Sequence, residues 1–490
     1  MKHIALAADL GAESGRVIAG KLENGTLNLA ETARFANGPV WFDGAYRWNI
    51  LSLHEGILNG LKKSSAAVPG ASSVSVDAWG VDYVWMGLGE SMLAAPHQYR
   101  DPRSAAPYAR LRHSPGDVTI YDETGIQFMN FNTLYQLAAD IEQHGALLEK
   151  ADRFLFIADW FHALLSGRCA VEPSIASTSQ LYNPRTRTWS NKLATAIGLP
   201  TRLLPEIVPS GTVLGGLTPA MRNQIGSDLE VIATCSHDTG AAVAAVPAEG
   251  DDWAYLSSGT WSLIGLEVAE PLITAEALKA NVTNEIGYGH SVRLLKNITG
   301  LWIMQECRRS WANSGAEWSY ADLNAAAESV PGLTTLIHPD HPPFLTPGDM
   351  PDKIAAYCKA TLQEVPNSPG AIARCILESL ALLYRVNLDR LCALTGRTAR
   401  TLHIVGGGSQ SVLLNQFAAN ATQRRVVAGP VEATAIGNVL LQLVARGVLP
   451  DLAAVRSIVR ASFPLTEYQP ASEAAWEQAL ARFKTLPIQA

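Results

Sequence analysis

The stretch that decides the fold is HIALAADLGAESGRVIAG, residues 3–20, in which two short apolar strands flank a glycine turn. A second stretch, WAYLSSGTWSLIG, residues 253–265, repeats the design. In each, a hydroxyl residue follows the turn glycine by three positions: Ser14 after Gly11, and Ser262 after Gly259. Each stretch therefore predicts a strand, a glycine turn and a second strand.

The two stretches lie about half the chain apart, a pattern typical of a duplicated domain. We place the boundary within residues 242–252, which gives predicted domains 1–245 and 246–490. Elsewhere, short apolar runs alternate with segments of helical periodicity, which favours the α/β class. The predicted strands include Ser73–Val76, Val231–Thr234 and Leu402–Val405, and the predicted helices include Ser52–Ser64, Ala371–Thr395 and Ala433–Arg446.

Composition excludes several functional classes. The chain has 490 residues, a net charge of −7 and no long basic run, which argues against nucleic-acid binding. The apolar run at the N-terminus is interrupted by Asp9, and no uncharged apolar segment reaches the roughly 18–20 residues of a membrane span. We therefore expect a cytoplasmic protein without a membrane partner. The six cysteines form no C-x-x-C pair, so free thiols are expected, and a pairing of Cys358 with Cys375 stays open.

The two glycine turns are candidate phosphate-binding loops. Glycine lets backbone N–H groups approach a phosphate closely, and serine or threonine hydroxyls add neutral donors. Asp9, at the end of the first strand, is placed to hold Mg²⁺ directly or through water, because Mg²⁺ prefers oxygen ligands and keeps several waters. Each turn taken alone is also an ordinary hairpin connection.

A third glycine-rich segment is Gly406-Gly407-Gly408, which follows the strand LHIV and precedes a helical pattern from about Ser411. A strand that ends in glycines before a helix N-terminus suits a nucleotide. The segment is not a dinucleotide fingerprint, because Ser411 stands where the last glycine of G-x-G-x-x-G would fall, and the chain has no G-x-x-x-x-G-K-[ST] loop. Any ATP site here has a different architecture.

A candidate catalytic carboxylate lies in TCSHDTG, residues 234–240, immediately after an apolar strand. Asp238, between His237 and Thr239, could accept the proton of an attacking hydroxyl. The alternative is that Asp238 caps the alanine-rich helix that follows.

Two further segments carry candidate binding residues. VDAWGVDY, residues 76–83, combines aromatics, Gly80 and two acids, a set that often binds sugars, although a strand end with a buried Trp79 explains it equally well. Asn297 and Gln305 bracket the apolar start of a helix, and either could be exposed.

Taken in order, these motifs resemble those of the FGGY carbohydrate kinases, from about Ile4 to about Pro464. The family has the actin–hexokinase ATPase fold, so the resemblance implies two duplicated ribonuclease H-like α/β domains around a central cleft. It implies transfer of a phosphoryl group from Mg-ATP to a ketose, with L-rhamnulose as the favoured sugar. L-Fuculose, another deoxyketose, stays open, and so does an actin-type ATP-dependent switch without kinase activity.

The resemblance also implies roles for individual residues. Asp238 would be the catalytic base. The ATP-binding residues would be Ala12, Glu13, Ser14, Gly15, Arg16, Thr260, Gln305 and Gly407. The substrate-binding residues would be Gly80, His237, Asp238, Thr239 and Asn297. Glu13 departs from the small residue expected in a phosphate turn, so its side chain should point away or lie near Mg²⁺. The oligomeric state stays open, a monomer included.

Overall fold

The computed structural model describes residues 2–89 and 91–488, as two compact units of mixed strands and helices. The strands, in chain order, are β1 (Lys2–Leu10), β2 (Ser14–Glu23), β3 (Thr26–Ala36), β4 (Pro39–Phe42), β5 (Ala45–Trp48), β6 (Ser73–Ala78), β7 (Tyr83–Gly87), β8 (Ala151–Phe156), β9 (Tyr182–Asn183), β10 (Thr188–Trp189), β11 (Thr212–Gly216), β12 (Glu230–Ala233), β13 (Trp253–Ser258), β14 (Trp261–Val268), β15 (Thr283–Ile286), β16 (Val292–Thr299), β17 (Thr401–Val405), β18 (Arg425–Ala428) and β19 (Thr466–Tyr468). The helices are α1 (Ile50–Ala67), α2 (Ala105–Leu111), α3 (Asp117–Thr124), α4 (Thr133–Gln143), α5 (Gly145–Lys150), α6 (Ile157–Ser166), α7 (Pro173–Ala176), α8 (Asn191–Ala196), α9 (Pro219–Ile225), α10 (Asp238–Ala244), α11 (Ala275–Ala280), α12 (Trp302–Asn313), α13 (Tyr320–Glu328), α14 (Met350–Ala360), α15 (Pro369–Thr395), α16 (Val412–Thr422), α17 (Ala433–Ala445), α18 (Leu452–Ser462) and α19 (Glu473–Phe483).

Each unit is assembled from separate pieces of the chain. The first runs up to Pro247 and adds Glu267–Leu294 and Ala433–Ser462. The second consists of Ala248–Leu266, Leu295–Glu432 and the chain from Phe463 onward. The division into domains 1–245 and 246–490, drawn from the sequence, stays a prediction.

The first unit is built on a six-stranded sheet in the order β11-β12-β6-β1-β2-β3. Strands β1, β2 and β3 form consecutive antiparallel pairs, while β6 lies parallel to β1 and β12 parallel to β6. The outer strand β11 is antiparallel to β12. Residues 4–10 of β1 are all buried, as expected for a strand covered on both faces.

The second unit repeats this topology. Strand β13 pairs antiparallel with β14 on one side and parallel with β17 on the other. Next come β18, parallel to β17, and β19, antiparallel to β18. The strand order β14-β13-β17-β18-β19 of the second unit thus matches the order β2-β1-β6-β12-β11 of the first unit. Corresponding neighbours also pair in the same direction, parallel or antiparallel. The α/β class and the internal duplication predicted from the two glycine turns are confirmed.

Two helices of the first unit pack very close to neighbouring elements because a glycine lies at each contact. A Cβ at Gly60 of α1 would lie 2.4 Å from the Val17 side chain of β2. A Cβ at Gly437 of α17 would lie 1.9 Å from the carbonyl oxygen of Ala241, so α17 meets the backbone of α10. Helix α17 therefore supports α10, whose first residue is Asp238.

The longest helix of the second unit is α15, with 27 residues. The Ser368 side chain accepts the N–H of Ala371 at its start, and Gly396 ends it with a left-handed φ of 66°. Most of its residues are buried, so the helix forms part of the core of the second unit. Within residues 2–89 and 91–488, none of the helices combines the length and apolar character needed to span a membrane.

Candidate active site

The first glycine turn joins β1 to β2 and is held by its neighbours. The N–H of Gly11 donates to the carbonyl of Ser14 at 2.9 Å, and the Asn37 side chain donates to the carbonyl of Gly11 at 2.7 Å. Among the described residues, the N–H groups of Ala12 and Glu13 have no protein acceptor. They are available to an anion, while the Glu13 side chain is exposed.

Gly15 is required by packing. It is buried, and a Cβ there would lie 2.2 Å from the ring of Phe35 on β3. Its neighbour Arg16, on β2, lies opposite Asp9 in the antiparallel register and forms an ion pair with it. The turn predicted to hold phosphates therefore has a fixed backbone and carries both a cation and a carboxylate.

The second glycine turn joins β13 to β14 and is supported by the start of α12. The N–H groups of Leu301 and Trp302 donate to the carbonyls of Gly259 and Thr260 at 3.0 and 3.2 Å. Gln305, one turn into α12, donates through its Nε2 to the Thr260 hydroxyl at 3.3 Å. Thr260 and Gln305, predicted separately from the sequence, are thus in contact.

The Gly406–Gly408 segment lies beside this second turn. A Cβ at Gly408 would lie 2.0 Å from Oγ of Ser258, the last residue of β13. Gly406 has a left-handed φ of 85°, whereas Gly407 is exposed, and nothing lies within 4 Å of the position that a Cβ would take there. Within the second unit, Thr260, Gln305 and Gly407 therefore surround one region, and Asn297 lies half-buried on β16.

In the first unit, three carboxylates gather at the ends of β1, β6 and β12. Asp9 and Asp77 are partners in the parallel register of β1 and β6. Burial, followed by the Asp9 charge, raises the pKa of Asp77 well above its usual range. Asn438 on α17 donates to Asp77 at 2.6 Å. The sequence interpretation counted Asp77 only among the acids of a candidate sugar-binding segment and did not pair it with Asp9, although both lie near the end of an apolar strand.

Asp238 is the third carboxylate and the most accessible. Its side chain is 29% exposed. Burial raises its pKa, the imidazole of His237 opposes that effect, and the Asp9 charge adds to it. Asp238 is the first residue of α10, but the N-cap position belongs to His237 and, among the described residues, no side chain caps the helix, so the capping alternative is not supported. Oδ1 of Asp238 accepts the N–H and, at 3.1 Å, the hydroxyl of Thr239.

The predicted Mg²⁺ site can be tested against these residues. Within the described residues, no group of three or more His, Cys, Asp or Glu side chains is arranged to hold a metal ion. The Asp9 and Asp77 carboxylates nevertheless lie side by side on neighbouring strands, and a divalent cation would relieve their repulsion. The oxygen donors present fit an Mg²⁺ ion that keeps most of its waters.

A pair of packed tryptophan side chains lies next to Gly80. Trp48 and Trp79 pack with ring centroids 4.2 Å apart, and the indole N–H groups of both donate to the buried carboxylate of Asp82, at 2.6 and 3.0 Å. Gln136 donates to the other oxygen of Asp82 at 2.9 Å. Burial raises the pKa of Asp82 to about 6. Asp82 thus fixes the orientation of two indoles, a role that the sequence interpretation missed.

The backbone after Trp79 is held in an unusual conformation. Val81 has a left-handed φ of 68°, which is strained for a β-branched residue. The Thr178 hydroxyl accepts its N–H at 3.1 Å and the Thr133 hydroxyl donates to its carbonyl at 2.7 Å. A Cβ at Gly80 would lie 2.8 Å from the Thr178 hydroxyl oxygen. This segment follows Ala78, which bridges to His237, so Gly80 and His237–Thr239 lie close in the first unit.

Comparison with known proteins identifies the class. The model of the FGGY family of carbohydrate kinases, N-terminal domain, matches residues 4–245, and that of the C-terminal domain matches residues 254–446. The chain therefore belongs to the FGGY family of carbohydrate kinases. The resemblance stated from the sequence is confirmed, and the alternative of a switch without kinase activity is set aside.

Curated relatives give a narrower comparison. A rhamnulokinase of Bacteroides thetaiotaomicron is 44% identical over 489 residues, covering 99% of both chains. Rhamnulokinases of Enterococcus faecalis and Bacillus subtilis are 41% and 37% identical, covering 96% and 95% of this chain and 94% and 95% of theirs.

Solved structures agree on the fold. A gluconate kinase from Lactobacillus acidophilus superposes with a TM-score of 0.82 at 15% identity, covering 99% of this chain and 97% of that one. A ligand-bound xylulose kinase from the same organism gives a TM-score of 0.80 at 15% identity, covering 98% and 97%. At such identities the likeness concerns the fold alone, which is the actin/hexokinase-like fold of FGGY sugar kinases.

Proposed function

We propose that the chain phosphorylates L-rhamnulose with ATP, giving L-rhamnulose 1-phosphate and ADP in the breakdown of L-rhamnose. The sugar is proposed from the curated relatives, which are named rhamnulokinases and align with nearly the whole chain. The chemistry is proposed from Asp238, a partly exposed carboxylate at the start of α10. We place the enzyme in the cytoplasm, where ATP is available; all six cysteines are free, which suits a reducing compartment.

The proton transfer is assigned to one oxygen of Asp238. Among the described residues, all its side-chain contacts use Oδ1, which accepts from Thr239 and faces His237. Oδ2 is left to accept the proton of the sugar's O1 hydroxyl as that oxygen bonds to the γ-phosphorus. The bond from phosphorus to the β–γ bridging oxygen breaks, and its electron pair leaves with ADP. A carboxylate suits this step, because phosphoryl transfer depends mainly on positioning.

The remaining residues bind and orient the two substrates. In this proposal, the phosphates are contacted by the N–H groups of Ala12 and Glu13, by the Arg16 side chain and by the turn that contains Thr260. Mg²⁺, held near Asp9, would neutralise phosphate charge. The ketose is contacted by Gly80, His237, Thr239 and Asn297. The two indoles that Asp82 orients would lie beside the sugar. Gln305 and Gly407 complete the nucleotide site.

The test is ADP release with Mg-ATP and a panel of L-rhamnulose, L-fuculose, D-xylulose, L-ribulose and D-fructose. We expect a strong preference for L-rhamnulose, and a phosphorus–proton NMR correlation that places the phosphoryl group on C1. A preference for L-fuculose would replace the proposed sugar while keeping the chemistry.

The base is tested by Asp238→Asn, which keeps the shape of the side chain but removes its basicity. We expect kcat to fall by about 10²–10⁴, roughly 3–5 kcal/mol of barrier. Asp228→Asn is the matched control, because Asp228 is 74% exposed in a surface ion pair. Wild-type turnover in Asp238→Asn would show that another group takes the proton.

A further inference from the structure

A buried chain of charged side chains leads to Asp238 from β15 and β16. Arg293, on β16, is fully buried and makes an ion pair of 3.2 Å with Glu285 of β15. The same Nη2 atom of Arg293 lies 3.1 Å from Nδ1 of His237. On the far side of the imidazole, Nε2 of His237 lies 3.4 Å from Oδ1 of Asp238. None of the roles proposed above uses Arg293 or Glu285.

The chemistry of these groups restricts the position of the histidine proton. A guanidinium has only N–H donors, so the hydrogen bond from Arg293 requires Nδ1 of His237 to be the acceptor. In neutral imidazole the proton then resides on Nε2, the atom that faces Asp238. Glu285 lies 3.3 Å from the same Nδ1 and would favour the opposite tautomer, because a carboxylate only accepts.

We propose that Arg293 is a positioning residue of the kinase, which fixes the tautomer of His237 so that its Nε2–H points at Oδ1 of Asp238. Arg293 is also held independently of Glu285, because its Nε donates to the carbonyl of Ile286 at 3.1 Å. With the imidazole N–H and both Thr239 donors on Oδ1, the carboxylate cannot rotate without losing three contacts. Oδ2 is thereby kept facing the sugar hydroxyl. This inference rests on the base role proposed for Asp238.

The backbone around His237 supports the same geometry. Glu172 accepts the N–H of Ser236 at 2.9 Å, and the N–H of His237 donates to the Ser174 hydroxyl at 3.0 Å. The carbonyl of Ser236 accepts from Ala78 at 2.9 Å. The imidazole therefore starts from a fixed backbone position, and the side-chain contacts of Arg293 decide only which nitrogen carries the proton.

The two partners of the ion pair allow a matched comparison. Arg293→Met removes the donor to Nδ1 and leaves Glu285 as an acceptor, so the proton is expected to move to Nδ1 and a lone pair to face Asp238. Glu285→Gln breaks the same ion pair but keeps the Arg293 donor, so the Nε2–H tautomer is expected to persist. Arg293→Lys supplies another donor and should restore much of the wild-type behaviour.

The tautomer is measured directly by ¹⁵N NMR of the full-length, ligand-free protein with labelled histidine. The chain has 11 histidines, and the His237 signals are assigned by their loss in His237→Gln. In the wild type we expect Nε2 to carry the proton, and in Arg293→Met we expect Nδ1 to carry it. A wild-type His237 with its proton on Nδ1 overturns the proposal, and this measurement needs no catalytic activity.

The kinetic consequence is measured in parallel. For Arg293→Met we expect kcat to fall about 10–100-fold with KM for ATP unchanged, and for Glu285→Gln less than a threefold loss. Equal losses in both variants would mean that the ion pair acts only in folding, and would refute the positioning role. If no ketose is phosphorylated by the wild type, the proposed function fails, while the NMR result still decides the tautomer.

Discussion

Substituting Gly408 by alanine tests the contact that joins the Gly406–Gly408 segment to β13. The new Cβ would lie 2.0 Å from Oγ and 2.5 Å from Cβ of Ser258. Rotation of the hydroxyl relieves the first contact, but the second needs a backbone shift. Overpacking of this kind costs about 1–3 kcal/mol, which corresponds to a fall in Tm of roughly 2–10 °C. We also expect KM for ATP to rise, because the displaced segment includes Gly407.

Gly407→Ala is the matched comparison one residue away. Nothing lies within 4 Å of a Cβ at this position, and its backbone is not left-handed. We therefore expect an unchanged Tm. If Gly407 approaches the nucleotide as proposed, the added methyl group should still raise KM for ATP. The pair of variants thus separates packing from ligand contact.

The assays are thermal unfolding and steady-state kinetics, with Gly408→Ala combined with Ser258→Gly as a rescue. Removing the Ser258 side chain removes both the Oγ and the Cβ contacts and leaves the Ser258 carbonyl oxygen 3.1 Å from the new methyl. Ser258→Gly alone should cost at most about 0.5–1 kcal/mol, the cost of glycine in a strand interior, because Ser258 is the last residue of β13. We expect the double variant to be more stable than Gly408→Ala. A wild-type Tm in Gly408→Ala, or no rescue, would refute the reasoning.

Two further predictions concern the first unit. Gly80→Ala should raise KM for the ketose about 10–200-fold while KM for ATP stays constant. The reason is that the new Cβ would lie 2.8 Å from the Thr178 hydroxyl oxygen. An equal rise in KM for both substrates would contradict a role of Gly80 in sugar binding. Burial lowers the pKa of His162 from 6.5 to about 4, so the unfolded chain gains the proton first as the pH falls. The contribution of neutral His162 to the free energy of unfolding is complete above pH 6.5 and is lost as the pH falls toward 4. Measured by urea unfolding, the free energy of unfolding of His162→Gln should therefore decrease less between pH 7 and 5 than that of the wild type. Equal decreases would contradict this prediction.

The sequence predicted the elements well where periodicity was strong. The predicted helices Ser52–Ser64 and Ala433–Arg446 correspond to Ile50–Ala67 and Ala433–Ala445. Both glycine turns join antiparallel strands, as predicted. These features depend on residues that are close in the chain, so one sequence is sufficient to predict them.

Contacts between distant segments could not be predicted. The pairing of Asp9 with Asp77 depends on the register of two strands that are far apart in the chain. The approach of Arg293 and Glu285 to His237 requires β15 and β16 to lie beside α10. The left-handed Val81 also carries no sequence signal, because valine is among the residues least suited to that conformation.

The piecewise assembly of the first unit has a consequence for biosynthesis. Helix α17 and its neighbours, residues 433–462, belong to this unit, whose first piece ends at Pro247. Asn438 and Gln442 of α17 donate to Asp77 and to the carbonyl of Leu6. At a translation rate of about 5–20 residues per second, these groups leave the ribosome roughly 10–40 s after residue 247. During that interval the nascent first unit lacks the helix that supports α10, so its completion is delayed until nearly the whole chain has been made.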